Sequence, residues 1–359
     1  MAADPAVLVP GIDGFADAVE RILAQAGGNT VFSPTGVAAA FAMASAGARG
    51  RTVDDIASVF GFPRQAELHA AMGALTAALD EQADLSLANS IWTQAGFAIS
   101  PSFVETLAAH YGARVWTADF MRDPGGSRSS INRWVASETR DRIPELLDSG
   151  AIGERTRLVL VNAVYLKAAW ATPFSEHVTT DATFHRADGT TVSVATMHAR
   201  GLDARYVVGD GYTAVELPYV GGELAMLIVV PDEPGASFPP VGRDLTAGPV
   251  NLALPRWESR AALDLAAVMT ELGLPLPGGD LSGIAPDLEI GTAVHAADIT
   301  VDEHGTEAAA ATAIVIRTTS AVVGPPPVDI TVDRPFLFAV RHVSTGVPLF
   351  VGRVVDPSA

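Results

Sequence analysis

The chain has 359 residues, 48% of them hydrophobic, and no cysteine. That is enough apolar content for a sizeable core, and it excludes disulfides and thiol chemistry while leaving the redox compartment open. The formal net charge is −18, and Lys167 is the lone lysine among 23 basic residues, which argues against nucleic acid as a partner.

Met1-Ala2-Ala3-Asp4-Pro5 puts no basic residue ahead of an apolar run, so no signal peptide is expected. A cytoplasmic location and secretion after loss of a leader both stay open. Apolar residues recur at helical spacing over 11–26 and 35–46. The longest apolar run, 37–44, is too short to span a bilayer, so no membrane partner is expected. A short helix is predicted over 52–60, with Thr52 as its cap ahead of Asp54 and Asp55. Further helices are predicted over 67–79, over 101–111 behind Ser100 and Pro101, and over 129–139. Residues 158–166 form a nearly continuous apolar run with β-branched members, the pattern of a strand covered on both faces. Residues 214–217 and 225–230 read as a hairpin, split by Tyr219-Val220-Gly221-Gly222. The Gly- and Pro-rich stretch 234–249 reads as a surface loop. A helix is predicted over 263–272, stopped by Gly273, and strands over 336–341 and 349–355. No internal repeat is visible. The preference for Ala, Gly and Arg over Lys points to a bacterial, GC-rich source.

Enzyme motifs are missing. There is no Gly-x-Ser-x-Gly elbow and no His-Glu-x-x-His pair. Lys167 follows Leu166, which rules out a Gly-Lys-Ser/Thr phosphate loop. Gly209-Asp210-Gly211 lacks the third glycine of a dinucleotide motif and reads as a turn. The eight histidines show no metal-ligand spacing, so neither metal nor cofactor is expected. Ser33, Asn162 and His295 are the types used in nucleophilic catalysis, but a buried polar cluster whose members satisfy one another is the better reading.

Residues 302–316 are the most informative stretch. An acidic start, Asp302-Glu303-His304-Gly305-Thr306-Glu307, leads into Ala308-Ala309-Ala310-Ala311-Thr312 with no proline until Pro325. Read alone, the alanine run favours a helix or linker, since Ala is the best helix former. Read as a strand, it puts Thr306, Ala308, Ala310, Thr312, Ile314 and Ile316 on one uncharged face. Glu307 and Arg317 then fall on the other face, and a one-residue slip would bury both.

The stretch Val294–Ala308 resembles the hinge of the serpin reactive loop. Asp333-Arg334-Pro335-Phe336-Leu337-Phe338 and Pro348-Leu349-Phe350-Val351-Gly352-Arg353-Val354 resemble the family's C-terminal signature. Asn29-Thr30-Val31-Phe32-Ser33-Pro34, Phe41-Ala42-Met43, Leu160–Trp170, Glu216-Leu217-Pro218-Tyr219 and Asp280-Leu281-Ser282-Gly283-Ile284 are similar to family segments in the same order.

The resemblance implies an α+β serpin fold. One large domain over residues 1–359 would have three β-sheets, a ring of about eight or nine helices and an exposed reactive loop near 303–327. It implies a suicide-substrate inhibitor of serine proteases, not an enzyme, acting as a monomer through a covalent acyl complex. A non-inhibitory carrier or chaperone is the alternative. That alternative would be expected to have bulky, charged or proline residues in the hinge, here Glu303, Gly305, Thr306, Glu307, Ala308, Ala309, Ala310, Ala311 and Thr312. Ser33, Asn162 and His295 match the positions that hold the central sheet shut, and Trp170 matches the tryptophan near its top. Gly36 stands where the family often has a second serine, which removes a hydroxyl from that cluster. Sixteen positions after Glu303, the family's usual spacing, is Thr319, so Thr319–Ser320 is the expected bait bond, with Arg317–Thr318 as the alternative. Thr319 suits elastase-like or subtilisin-like pockets, and Arg317 trypsin-like ones. Residues 64–79 carry no basic cluster, so no glycosaminoglycan cofactor is expected.

Overall fold

The computed structural model describes residues 3–82, 85–233, 245–306 and 326–359. The helices are α1 (Val9–Ala24), α2 (Pro34–Ser45), α3 (Arg51–Phe60), α4 (Gln65–Asp80), α5 (Pro101–Tyr111), α6 (Pro124–Glu138) and α7 (Ala266–Glu271). With the 3-10 turns Pro5–Leu8 and Glu176–Val178, the described residues hold nine helical elements. The strands are β1 (Thr30–Phe32), β2 (Leu85–Gln94), β3 (Val115–Ala118), β4 (Leu158–Leu166), β5 (Ala168–Ala169), β6 (Thr180–His185), β7 (Thr191–Val208) and β8 (Tyr212–Pro218). They continue as β9 (Leu224–Pro231), β10 (Thr246–Pro255), β11 (Trp257–Asp264), β12 (Thr292–Asp302), β13 (Gly305–Thr306), β14 (Val328–Thr331), β15 (Phe336–His342) and β16 (Pro348–Val354).

The strands form two hydrogen-bonded sheets among the described residues. A nine-stranded sheet runs β1-β16-β15-β9-β8-β7-β10-β14, with β6 also on β7. The 18 residues of β7 pair with β6 at one end, with β8 at the other and with β10 along Thr196–Tyr206 between them, so two of the three expected sheets share a strand. A seven-stranded sheet runs β3-β2-β4-β12-β13-β5, with β11 on β12.

That second sheet is covered on both faces. All nine residues of β4 are buried, as its unbroken apolar run requires. On one face lies α2, itself buried at every residue and packed on β4 and β16. A helix apolar all round belongs in a core. It starts where the Ser33 hydroxyl caps the Gly36 amide at 3.0 Å, with Pro34 in the first turn. On the other face, Ile131 and Val135 of α6 pack on Val159, Val161 and Ala163 of β4 and on Val294 and Ala296 of β12.

Three local expectations change. The helix expected over 263–272 is only α7, because Leu263 and Asp264 continue β11 and pair with His295 and Val294. Thr52 lies inside α3 behind Gly50, and its hydroxyl accepts the Asp280 amide at 2.8 Å instead of capping the helix. Residues 246–249 belong to β10, where they pair with β7.

Candidate functional site

The site lies along the seam between β4 and β12. These strands pair directly and in parallel, Val159–Tyr165 against Thr292–Asp298. Most other long pairings in the sheet are antiparallel, and a parallel pair is slightly less stable per residue.

His295 and Asn162 are register partners across the seam. Both are buried, and so is Ser33. The Ser33 amide donates to His295 Nε2 at 2.9 Å. Nε2 is therefore the unprotonated nitrogen, and Nδ1–H donates to Asn162 Oδ1 at 2.5 Å. Asn162 Nδ2 in turn donates to Asn89 Oδ1 on β2 at 2.8 Å. The three predicted residues thus meet, and Asn89 joins them. Burial pushes His295 down to about pKa 3 and keeps it neutral. The cluster is a set of polar groups that satisfy one another. Gly36 proves to be a matter of space. A Cβ there would lie 2.6 Å from the Asn162 amide atoms.

The hinge forms six positions further along β12, about 20 Å from the His295 row at ~3.3 Å per residue. After Asp302 the chain turns through Glu303 and His304 and returns as β13. Gly305 and Thr306 pair with Asp302 and Val301 on one side, and with Ala169 and Ala168 on the other. Gly305 has φ +150°, and a Cβ there would sit 2.1 Å from the Ala168 carbonyl oxygen. Only glycine fits so close an approach.

Thr306 begins the uncharged face read from the sequence. It is already buried, with its hydroxyl 2.6 Å from the Tyr219 hydroxyl. Trp170 stacks on the Tyr219 ring at 4.6 Å, and its Nε1 donates to the Asp302 carbonyl at 2.9 Å. Its backbone amide donates to the His304 carbonyl at 2.8 Å. Glu303 is 1% exposed. Its carboxylate accepts Arg256 Nε at 2.9 Å and Nη2 at 2.6 Å, and the Thr179 hydroxyl. Burial raises the pKa of this carboxyl, but the bonds from Arg256 and Thr179 outweigh it and hold the pKa below the usual range.

Asn89, Thr179 and Arg256 escaped the sequence reading, and Tyr219 entered it only within a motif. Each is a lone polar residue in an ordinary strand or turn pattern. The predicted Glu307, Ala308, Ala309, Ala310, Ala311, Thr312, Arg317, Thr318, Thr319 and Ser320 lie outside the described residues. Among the described residues, no group of His, Asp and Glu is placed to hold a metal ion, and no helix is long and apolar enough to cross a membrane.

Two outcomes test this geometry. Gly36→Ala forces the Asn162 amide aside and should cost roughly 2 kcal/mol, read as a lower urea midpoint at an unchanged slope. Acid should weaken the seam. A histidine held neutral contributes stability that is fully present above its unfolded pKa of 6.5 and is lost as pH falls toward about 3. His69, lowered to about 4, and His342, also lowered, act in the same direction. The melting temperature should therefore fall below pH 6.5, and less steeply in His295→Gln. An unchanged slope in that variant would remove His295 from the account.

A family model described as "Serpin (serine protease inhibitor)" matches residues 13–357. The human leukocyte elastase inhibitor is 33% identical over 357 residues, covering 92% of this chain and 93% of that protein. Mouse antithrombin-III is 31% identical over 359 residues, covering 92% of this chain and 76% of that protein. Among solved structures, Serpin48 of the insect Tenebrio molitor superposes with a TM-score of 0.84 at 29% identity, covering 97% of both chains. Native protease nexin-1, solved with heparin, superposes with a TM-score of 0.85 at 29% identity, covering 99% of this chain and 100% of that one. The chain belongs to the serpin family of serine protease inhibitors.

Proposed function

We propose that this chain, acting as a single monomeric domain, traps a serine protease covalently by inserting its cleaved loop, about residues 303–327, between β4 and β12. The observation that carries the reading is β13. Its two residues already run antiparallel between β12 and β5, at the mouth of a seam whose remaining length is closed. Continuing that register six positions beyond Thr306 sets Thr312 in the row of Asn162 and His295. Ala308, Ala310 and Thr312 then share the inward face of Thr306, and all are small enough for it.

The protease serine Oγ bonds to the Thr319 carbonyl carbon, the Thr319–Ser320 C–N bond breaks, and Ser320 leaves as a free amine. Insertion exchanges one parallel ladder for two antiparallel ones. At about 1 kcal/mol net per hydrogen bond, a full strand contributes on the order of 10 kcal/mol, comparable with the stability of a whole domain. That is enough to drag the protease and distort its oxyanion hole, on which deacylation depends. The closed state is then held kinetically.

Thr319 favours elastase-like or subtilisin-like targets, and the human relative is named an elastase inhibitor. Cleavage after Arg317 is the competing reading and selects trypsin-like enzymes. Although protease nexin-1 was solved with heparin, α4 carries no Lys or Arg in this chain, and no acceleration by heparin is expected.

Incubation with elastase should give a band stable to denaturing gels, while simple clipping would support the carrier alternative. Mass spectrometry of the peptide released from the denatured complex should find Ser320 at its N-terminus; Thr318 there would move the target class to trypsin-like enzymes. Thr306→Arg puts a charge against Tyr219, a burial that costs several kcal/mol. That variant should be cleaved and released. A wild-type yield of complex would mean that the inserted sheet does not need an uncharged residue at position 306.

A further inference from the structure

Between α3 and the start of α4 lies a cavity of about 320 Å³ that shares no residue with the cluster in the seam or with the hinge. Its apolar wall is one face of α3, formed by Val53, Ile56 and Ala57 at helical spacing. Leu68 of α4 and Phe62, from the turn between the two helices, add to it. Phe62 stacks on Phe60 with ring centroids 5.1 Å apart, and Phe60 in turn meets Phe15 and Phe41. The wall is fixed in place. The Phe62 amide donates to the Ala57 carbonyl at 2.9 Å and folds the turn back on α3. Gly61, at φ +60°, packs so close to α1 that a Cβ there would lie 2.7 Å from the Gly11 Cα.

The rim carries two charges without a partner. Arg64 and Asp54 both line the cavity, yet no ion pair joins them. Among the described residues, neither side chain makes a hydrogen bond or a salt bridge. The next residue of α3, Asp55, is paired with Arg51 at 3.2 Å. Gln65 also lines the cavity. Its Nε2 donates to the Ser45 carbonyl at 2.5 Å, which fixes the carboxamide and leaves Oε1 without a partner among the described residues.

We propose that this cavity binds a free aromatic amino acid. The ring lies on the apolar wall against Phe62, the carboxylate meets Arg64, and the ammonium meets Asp54 and the Gln65 side-chain oxygen. Hydrogen bonds between a guanidinium and a carboxylate are charge-assisted and are among the strong ones. One zwitterion satisfies two opposite charges that do not reach each other, whereas a simple acid or amine satisfies only one. Size narrows the choice. At about 30 Å³ per water-sized group the cavity holds roughly ten such groups. That suits one ring with a short polar head, at the small end of ligand pockets. An aromatic partner adds to the burial of a ligand ring, which favours phenylalanine over leucine.

Titration calorimetry of the full chain with L-phenylalanine tests the site. Wild type should bind it saturably, and L-leucine more weakly. Phenethylamine lacks the carboxylate and 3-phenylpropionate lacks the ammonium. Each should bind roughly tenfold more weakly than phenylalanine, the loss of one charged hydrogen bond. Arg64→Gln should weaken phenylalanine by a similar factor and leave phenethylamine unchanged. Asp54→Asn should weaken phenylalanine likewise and leave 3-phenylpropionate unchanged. Ala57→Leu fills the cavity and should abolish binding of all three, with a melting transition to show that the variant is folded. No saturable binding of phenylalanine by wild type would overturn the proposal. Binding that survives both Arg64→Gln and Asp54→Asn unchanged, or that survives Ala57→Leu, would overturn it too.

Discussion

Everything in this molecule turns on the pairing of Val159–Tyr165 with Thr292–Asp298. The ladder pairs the two strands over seven residues, and all nine residues of β4 are buried. Locally the sheet is complete. It is not the best sheet the chain can make, because a parallel join between β4 and β12 stands where two antiparallel joins could stand. The difference is available only if the seam opens, and opening it exposes unpaired backbone before the new bonds form. On the proposed reading, that order of events holds the closed form kinetically above the inserted one.

The devices along the seam each act on the opening. In the middle, the chain of bonds Ser33–His295–Asn162–Asn89 ties α2, β12, β4 and β2 together. At the top, Glu303 is clamped by Arg256 and Thr179 while Gly305 and Thr306 occupy the first two places of the next strand. On the outer face, Arg140 lies over the Tyr165 ring of β4 and Arg142 donates to Asp298 of β12. Ser33, Asn162, His295, Asp298 and Glu303 are buried, so each holds tightly when paired and costs much when a partner is lost, while the arginines that reach them are partly exposed. Two of them share a direction with pH. His295 is held neutral and Glu303 is held ionised, so acid weakens both.

Features with a local signature were legible in the sequence. The apolar run at 158–166 read as a doubly covered strand, and so it is, whereas the close approach at Gly305 shows only in the fold. The hinge needed the family pattern, since its alanines suit a helix as well as a strand. Other features had no local signature. Leu263 and Asp264 extend β11 because β12 offers them a partner, whereas alone they read as the start of a helix. Arg142 meets Asp298 across 156 positions, and Arg256 meets Glu303 across 47. No spacing rule connects such residues. Gly36 was read as a missing hydroxyl, but it is the space into which the Asn162 amide fits.

The central claim is that the closed seam stores free energy that cleavage of the loop releases. Thermal denaturation of intact and loop-clipped protein measures it most directly. A gain on the order of 10 kcal/mol, at about 2 °C per kcal/mol for a chain of this size, should raise the transition of the clipped form by well over 10 °C. Coincident transitions for the two forms would mean that no strand enters between β4 and β12, and the account would be wrong.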